Sequence, residues 1–222
     1  MTTPSPRTPL PIVVLISGRG SNLQAILERI EAGELPVTVR AVVSNRPEAA
    51  GLEYARRAGI PAEVVDHRGY ASREHYDDAL AEVIERYQPA LVVLAGFMRI
   101  LTPGFVQRFR GRLINIHPSL LPKFKGLDTH RRALEAGEKE HGASVHLVTE
   151  ALDGGPVLMQ ARVPVHPDDT PETLAERVLA REHRLYPEVL RLFAEGRLDT
   201  DPAGRPRIDG HPLEHPLRLE GE

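Results

Sequence analysis

The sequence predicts an α/β fold: a doubly wound, mostly parallel sheet with helices on both faces and a mixed or antiparallel C-terminal extension. Three observations predict it. Short runs rich in β-branched residues recur through the first half of the chain. Helical stripes lie between them, and after residue 126 two strands follow one another with only a short loop between. Parallel neighbours need crossover connections, so strand–helix alternation implies a parallel sheet, whereas a short loop permits antiparallel pairing.

The elements follow in order. "IVVLIS" (12–17) is a continuous apolar run ended by glycine, as expected of a central strand covered on both faces. "VTVRAVVSN" (37–45), "AEVVD" (62–66), "ALVVLAG" (90–96) and "RLINIH" (112–117) repeat the theme. Leu23, Ile26, Leu27 and Ile30 make one helical stripe, and Leu80, Val83, Ile84 and Tyr87 another. Residues 129–136 read as a short helix. "GASVHLVT" (142–149) and "PVLMQARVPV" (156–165) read as strands joined by "EALDGG". A long helix is expected over 171–194, with Pro171 in its first turn and Pro187 kinking it. The domain reading is a disordered arm over 1–11, one domain over 12–198, and a Pro-, Gly- and charge-rich tail over 199–222.

With 222 residues, 41% of them hydrophobic, the chain can bury one good-sized core. A net charge of -3 argues against a protein that coats nucleic acid, which needs a surplus of Lys and Arg. The absence of cysteine excludes disulfides, thiolate nucleophiles and Cys-ligated zinc. No apolar run approaches the roughly 20 residues of a membrane helix. "MTTPSPRTPLP" lacks the apolar stretch of a secretory signal, so the expected location is the cytoplasm.

"SGRGSN" (17–22) leaves the first strand and opens the first helix. Glycines let the backbone approach an anion, and the helix N-terminus supplies N–H donors. The dinucleotide fingerprint fails because position 23 is Leu23, and no Gly-Lys-Ser/Thr follows for a Walker A loop. Two readings remain: a single-phosphate site built from Gly20, Ser21 and Asn22, or a tight turn with Ser21 as N-cap.

Strand side chains alternate, so Asn115 and His117 share a face at a strand's carboxyl end, where open α/β sheets place ligands. Together they offer two donors for an oxyanion; the alternative is a satisfied polar strand end. Asp153 lies in a glycine-flanked loop, either as an ordinary turn residue or as a carboxylate beside His117 that favours its charged form. His117, His130, His141 and His146 have no metal-ligand spacing, and no metal is expected. Without a nucleophile elbow or another strong nucleophile, direct transfer between two bound substrates is favoured over a covalent intermediate.

"VVLISGRGSNLQAI", "VVLAGFMRIL", "NIHPSLLPKFKG", "HGASVHLV", "LDGGPVLMQ" and "REHRLYP" together resemble the phosphoribosylglycinamide formyltransferases, folate-dependent enzymes of purine synthesis. The resemblance runs from about residue 12 to 198. Asn-x-His-Pro-Ser and Asp-Gly alone indicate only the wider formyltransferase superfamily, whose fold is Rossmann-related. The resemblance implies that 10-formyltetrahydrofolate, as co-substrate, gives its formyl group to the amine of glycinamide ribonucleotide. It places the catalytic roles on Asn115, His117 and Asp153, and the substrate phosphate on Gly20, Ser21 and Asn22. The ribose falls on Leu179, Ala180, Arg181 and Glu182. Folate contacts fall on Arg73, on Met98, Arg99, Ile100 and Leu101, on Asn115, and on Thr149, Glu150, Ala151, Leu152 and Asp153. No nicotinamide, nucleic acid or membrane is implied, and a monomer or a homodimer is expected.

Asp128 departs from the resemblance, putting a negative charge where histidine or a small polar residue is expected. Within the superfamily the alternatives are a formyltetrahydrofolate hydrolase, which carries an added N-terminal regulatory domain, and a methionyl-tRNA formyltransferase, which carries an added C-terminal domain for its nucleic-acid partner. From another class, a non-catalytic phosphate-ligand binding module would use "SGRGSN" alone.

Overall fold

The computed structural model describes residues 8–221. In chain order the elements are β1 (Leu10–Ile16), α1 (Ser21–Glu31), β2 (Val37–Ser44), α2 (Leu52–Arg57), β3 (Ala62–Val64), α3 (Arg73–Arg86), β4 (Leu91–Leu94), α4 (Pro103–Arg108) and β5 (Leu113–His117). There follow α5 (Thr129–Glu135), β6 (Glu140–Leu147), β7 (Val157–Pro164), α6 (Pro171–Ala194), β8 (Leu198–Thr200), β9 (Pro206–Ile208), β10 (His211–Pro212) and β11 (Leu217–Arg218). The main sheet runs β11-β7-β6-β5-β4-β1-β2-β3. Strands β3, β2, β1, β4 and β5 are mutually parallel, while β5–β6 and β6–β7 are antiparallel. This is the doubly wound sheet with its antiparallel extension.

The apolar run of β1 is continuous because both faces are covered. Ile12, Val14 and Ile16 pack into a core with α1 and α6, and Val13 and Leu15 into a second core with α3 and α4. Helix α6 starts at a Thr170–Thr173 capping box with Pro171 at its first position, and runs unbroken through Pro187. Its Tyr186 hydroxyl, fully buried, donates to the Leu94 carbonyl at 2.7 Å. That bond ties the helix to the end of β4.

The structure differs from the sequence reading in three respects. Strand β1 begins at Leu10, within the segment expected as an arm, because Leu10 pairs with Val37 of β2; residues 1–7 of that arm lie outside the described residues. The expected tail builds strands: β8, β9 and β10 form a small antiparallel sheet, and β11 pairs in parallel with β7. In this segment Arg207 pairs with Asp199 across β8 and β9, and Arg197 pairs with Asp209 beside their ends. Helices α2 and α4 escaped notice because six residues are too few to display a 3.6-residue period. Among the described residues no helix is long and apolar enough to cross a membrane.

Candidate active site

The strand order reverses between β1 and β4, and ligands of open α/β sheets bind outside the carboxyl ends at such a point. At the end of β1 the chain turns through Gly20, whose φ of 72° is left-handed. A Cβ there would meet the Cα of Gly51 at 2.7 Å, so only glycine fits. Gly20, not Ser21, is the N-cap, and no side chain caps α1. The first-turn N–H groups therefore lack a side-chain acceptor, an arrangement suited to an anion.

Asn22 turns inward and donates through Nδ2 to Glu182 Oε2 at 2.8 Å, leaving its buried Oδ1 without a donor. Of the α6 positions implicated by resemblance, Glu182 is the one buried against the glycine loop. Leu179 is half-buried, Ala180 is exposed, and Arg181 donates to the carbonyl of Gly221 at 2.6 Å, toward the C-terminal segment.

Burial pushes the Glu182 carboxyl up to about 7, against a smaller opposing pull from the Asn22 amide. The folded state thus holds this proton more tightly than the unfolded chain. The resulting stability is full below the unfolded value near 4.5 and is lost as pH rises through about 7. The loss is about 3 kcal/mol. Urea titrations at pH values on either side of this window, for the parent and for Glu182→Gln, should differ by that amount in their pH dependence. Parallel curves would show that Glu182 is not a buried, proton-binding carboxyl.

Strand β5 presents Asn115 and His117 on one face, and β6 sets His146 opposite Asn115 and Ser144 opposite His117. Asp153 arrives from the β6–β7 loop. Its φ of 46° is left-handed, which Asp tolerates better than most residues. The loop can close this tightly because a Cβ on Gly155 would lie 1.8 Å from the Leu147 carbonyl oxygen. Asp153 Oδ2 accepts from the Gly126 N–H at 2.9 Å and lies 3.5 Å from His117 Nδ1. Oδ1 lies 3.6 Å from His146 Nε2. All three side chains are less than 10% exposed, so water screens these contacts weakly.

Hydrogen-bond partners assign the imidazoles. His117 Nε2 is 2.9 Å from the Phe124 carbonyl, which can only accept, so Nε2 donates and Nδ1 is left to face Asp153. His146 Nδ1 is 3.0 Å from the Leu147 carbonyl and donates to it. Burial holds this imidazole's pKa down, favouring the neutral ring. Its Nε2 then accepts from Asn115 Nδ2 at 3.4 Å. His146 thereby orients the Asn115 amide, a role the sequence reading missed. The signal was present: Ser144 and His146 are polar residues two apart in a strand flanking the Asn-x-His strand.

These groups close one end of a cleft of about 370 Å³. Its walls are residues 97–101 on one side and 148–153 on the other, which contain the expected folate contacts Met98 to Leu101 and Thr149 to Asp153. Met98, Ile100 and Leu152 stay more than half exposed around it, an apolar rim suited to a flat ring. Arg73 does not line the cleft. It donates to the Ile100 carbonyl and holds the wall from outside. Larger hollows lie away from these groups, among them one of about 780 Å³ along the C-terminal half of α6 and one of about 730 Å³ between α1, β2 and α2. Asp128 pairs with Arg131 of its own helix at 2.6 Å, which offsets its charge. Among the described residues no cluster of three or more His, Asp or Glu is placed to hold a metal ion.

The formyl transferase family profile matches residues 10–190. The chain is 56% identical over 187 residues to the phosphoribosylglycinamide formyltransferase of Escherichia coli, covering 84% of this chain and 88% of that one. It is 46% identical over 187 residues to the Haemophilus influenzae enzyme of the same name, covering 84% and 88%. The solved phosphoribosylglycinamide formyltransferase of Coxiella burnetii superposes with a TM-score of 0.91 at 53% identity, covering 96% of this chain and 100% of that one.

Proposed function

The chain belongs to the formyl transferase family, and from that membership and the cleft's geometry we propose that it is a phosphoribosylglycinamide formyltransferase. It transfers the formyl group of 10-formyltetrahydrofolate to the amine of glycinamide ribonucleotide, in purine synthesis. The observation that carries the reading is the convergence of Asn115, His117 and Asp153 in one apolar-rimmed cleft, whose Met98 N–H donates to Ser17 Oγ at 2.8 Å where the chain leaves β1 for the uncapped α1.

In this reading the substrate's phosphate docks on the N–H groups at Gly20, Ser21 and Asn22. Its ribose hydroxyls donate to Glu182, and the folate lies between residues 97–101 and 148–153. The amine attacks the formyl carbon, and the oxyanion accepts from Asn115 Nδ2 beside the imidazole of His117. Collapse breaks the bond to the folate nitrogen. That nitrogen gains a proton and the amine loses one, relayed through water at Asp153. The protein acts in the cytoplasm on these two small molecules, with no nucleic-acid partner, as a monomer or homodimer.

The test is a spectrophotometric assay with a 10-formylfolate donor, with and without glycinamide ribonucleotide. Deformylated folate should appear only when both are present. Formate release without the ribonucleotide would identify a hydrolase instead, and ligand binding with no transfer would leave only a binding module.

A further inference from the structure

Phe124 holds a backbone conformation its side chain does not favour. Its φ is 53°, in the left-handed region that costs L-residues free energy and that Asn, Asp and Gly adopt most readily. Strain of this kind persists only where surrounding contacts over-determine it. Here they do. Arg132 Nη1 donates to the Lys125 carbonyl at 2.6 Å and the Leu127 carbonyl at 3.0 Å, with its guanidinium 5.5 Å from the Phe124 ring centroid. His141 meets the same ring edge-on at 6.2 Å, and Ser119 Oγ donates to the Lys123 carbonyl at 2.6 Å. With the carbonyls on both sides tied down, that of Phe124 is the one turned to His117 Nε2, at 2.9 Å. Two residues on, Gly126 N–H binds Asp153 Oδ2. One turn therefore touches both members of the His117–Asp153 pair.

This matters for the proton inventory of His117. The imidazole has an acceptor on each side: a carbonyl at Nε2 and a carboxylate at Nδ1. A neutral ring carries one N–H and satisfies one of them, whereas only the imidazolium satisfies both. If the carbonyl were absent, a neutral ring with its proton on Nδ1 would satisfy Asp153 alone. We infer that Phe124 is a positioning residue whose left-handed backbone, clamped by Arg132, aims a carbonyl at His117 Nε2 and so obliges the imidazole to carry both protons. Asp153 and His146 face His117 directly, and His130, His141 and Lys125 form the outer ring of titratable groups. Burial holds His130 and His141 below the ordinary histidine value, favouring their neutral forms, so they do not compete for the proton.

The inference rests on the active-site reading above, and its test is chosen to stand apart from turnover. Long-range ¹H–¹⁵N spectra of ¹⁵N-histidine-labelled protein, without substrates and near neutral pH, report whether each His117 nitrogen is protonated; His117→Gln assigns the signals. The parent should show both nitrogens protonated. Phe124→Gly and Phe124→Val both remove the ring, but only valine resists a positive φ. The valine variant should lose the doubly protonated signature and show a kcat about 10-fold below that of the glycine variant. The KM of either substrate should change little between the two. Arg132→Ala, at a half-buried helix position outside the two apolar cores, should weaken the signature in a chain that still melts like the parent, which keeps the test open if the valine variant does not fold.

A neutral His117 in the parent would overturn the inference. So would glycine and valine variants that behave alike, or an Arg132→Ala spectrum identical to the parent's. A doubly protonated His117 in a protein that transfers no formyl group would instead overturn the proposed function and leave this inference standing.

Discussion

Replacing Asn115 with alanine should lower kcat by about 100- to 1000-fold, or roughly 3–4 kcal/mol of transition-state stabilisation. The expectation follows from how the amide is held. His146, its Nδ1 spent on the Leu147 carbonyl, offers Nε2 to Asn115 Nδ2 and fixes the donor before any charge develops on the substrate. A formyl carbonyl in the ground state attracts that donor weakly, whereas the tetrahedral oxyanion attracts it strongly. KM should therefore move little while kcat falls. Steady-state kinetics on both substrates decide the matter: full turnover in Asn115→Ala, or a change confined to KM, would remove Asn115 from the oxyanion site.

Asp153→Asn should cost about 100- to 10,000-fold in kcat, the range for losing a positioned acid–base partner. The substitution keeps the side chain's shape and suits the left-handed backbone at 153, since Asn adopts it as readily as Asp. Its amide oxygen can still accept from Gly126, so the loop should hold. What disappears is the negative charge facing His117 Nδ1 and His146 Nε2. The pH–rate profile should move as well as fall, because the partner that favours a charged His117 is gone. A slowed enzyme with an unmoved profile would assign Asp153 to positioning or proton relay alone.

Much of this fold was legible beforehand because burial on two sides writes itself into composition. Strand β1 is an unbroken apolar run since Val13 and Val14 face different cores, both fully buried. The same alternation rule put Asn115 and His117 on one face before any neighbour was known. Helices α2 and α4 and strands β8 to β11 were not legible. They are too short to show a period, and much of their stabilisation comes from partners elsewhere in the chain.

By itself the sequence determined the alternation of strands and helices, the glycine-rich loop that opens the first helix, and which side chains could act as donors, because these depend on local sterics and on a periodicity of two or 3.6 residues. Only the tertiary structure decided what those side chains meet. That Asp153 comes to 3.5 Å from His117, that His146 orients Asn115, and that Phe124 takes up Nε2 are consequences of antiparallel register between β5 and β6 and of two left-handed turns. Two of these three contacts join residues more than 30 positions apart, and the third runs through a backbone carbonyl, which every residue carries and no side-chain pattern marks.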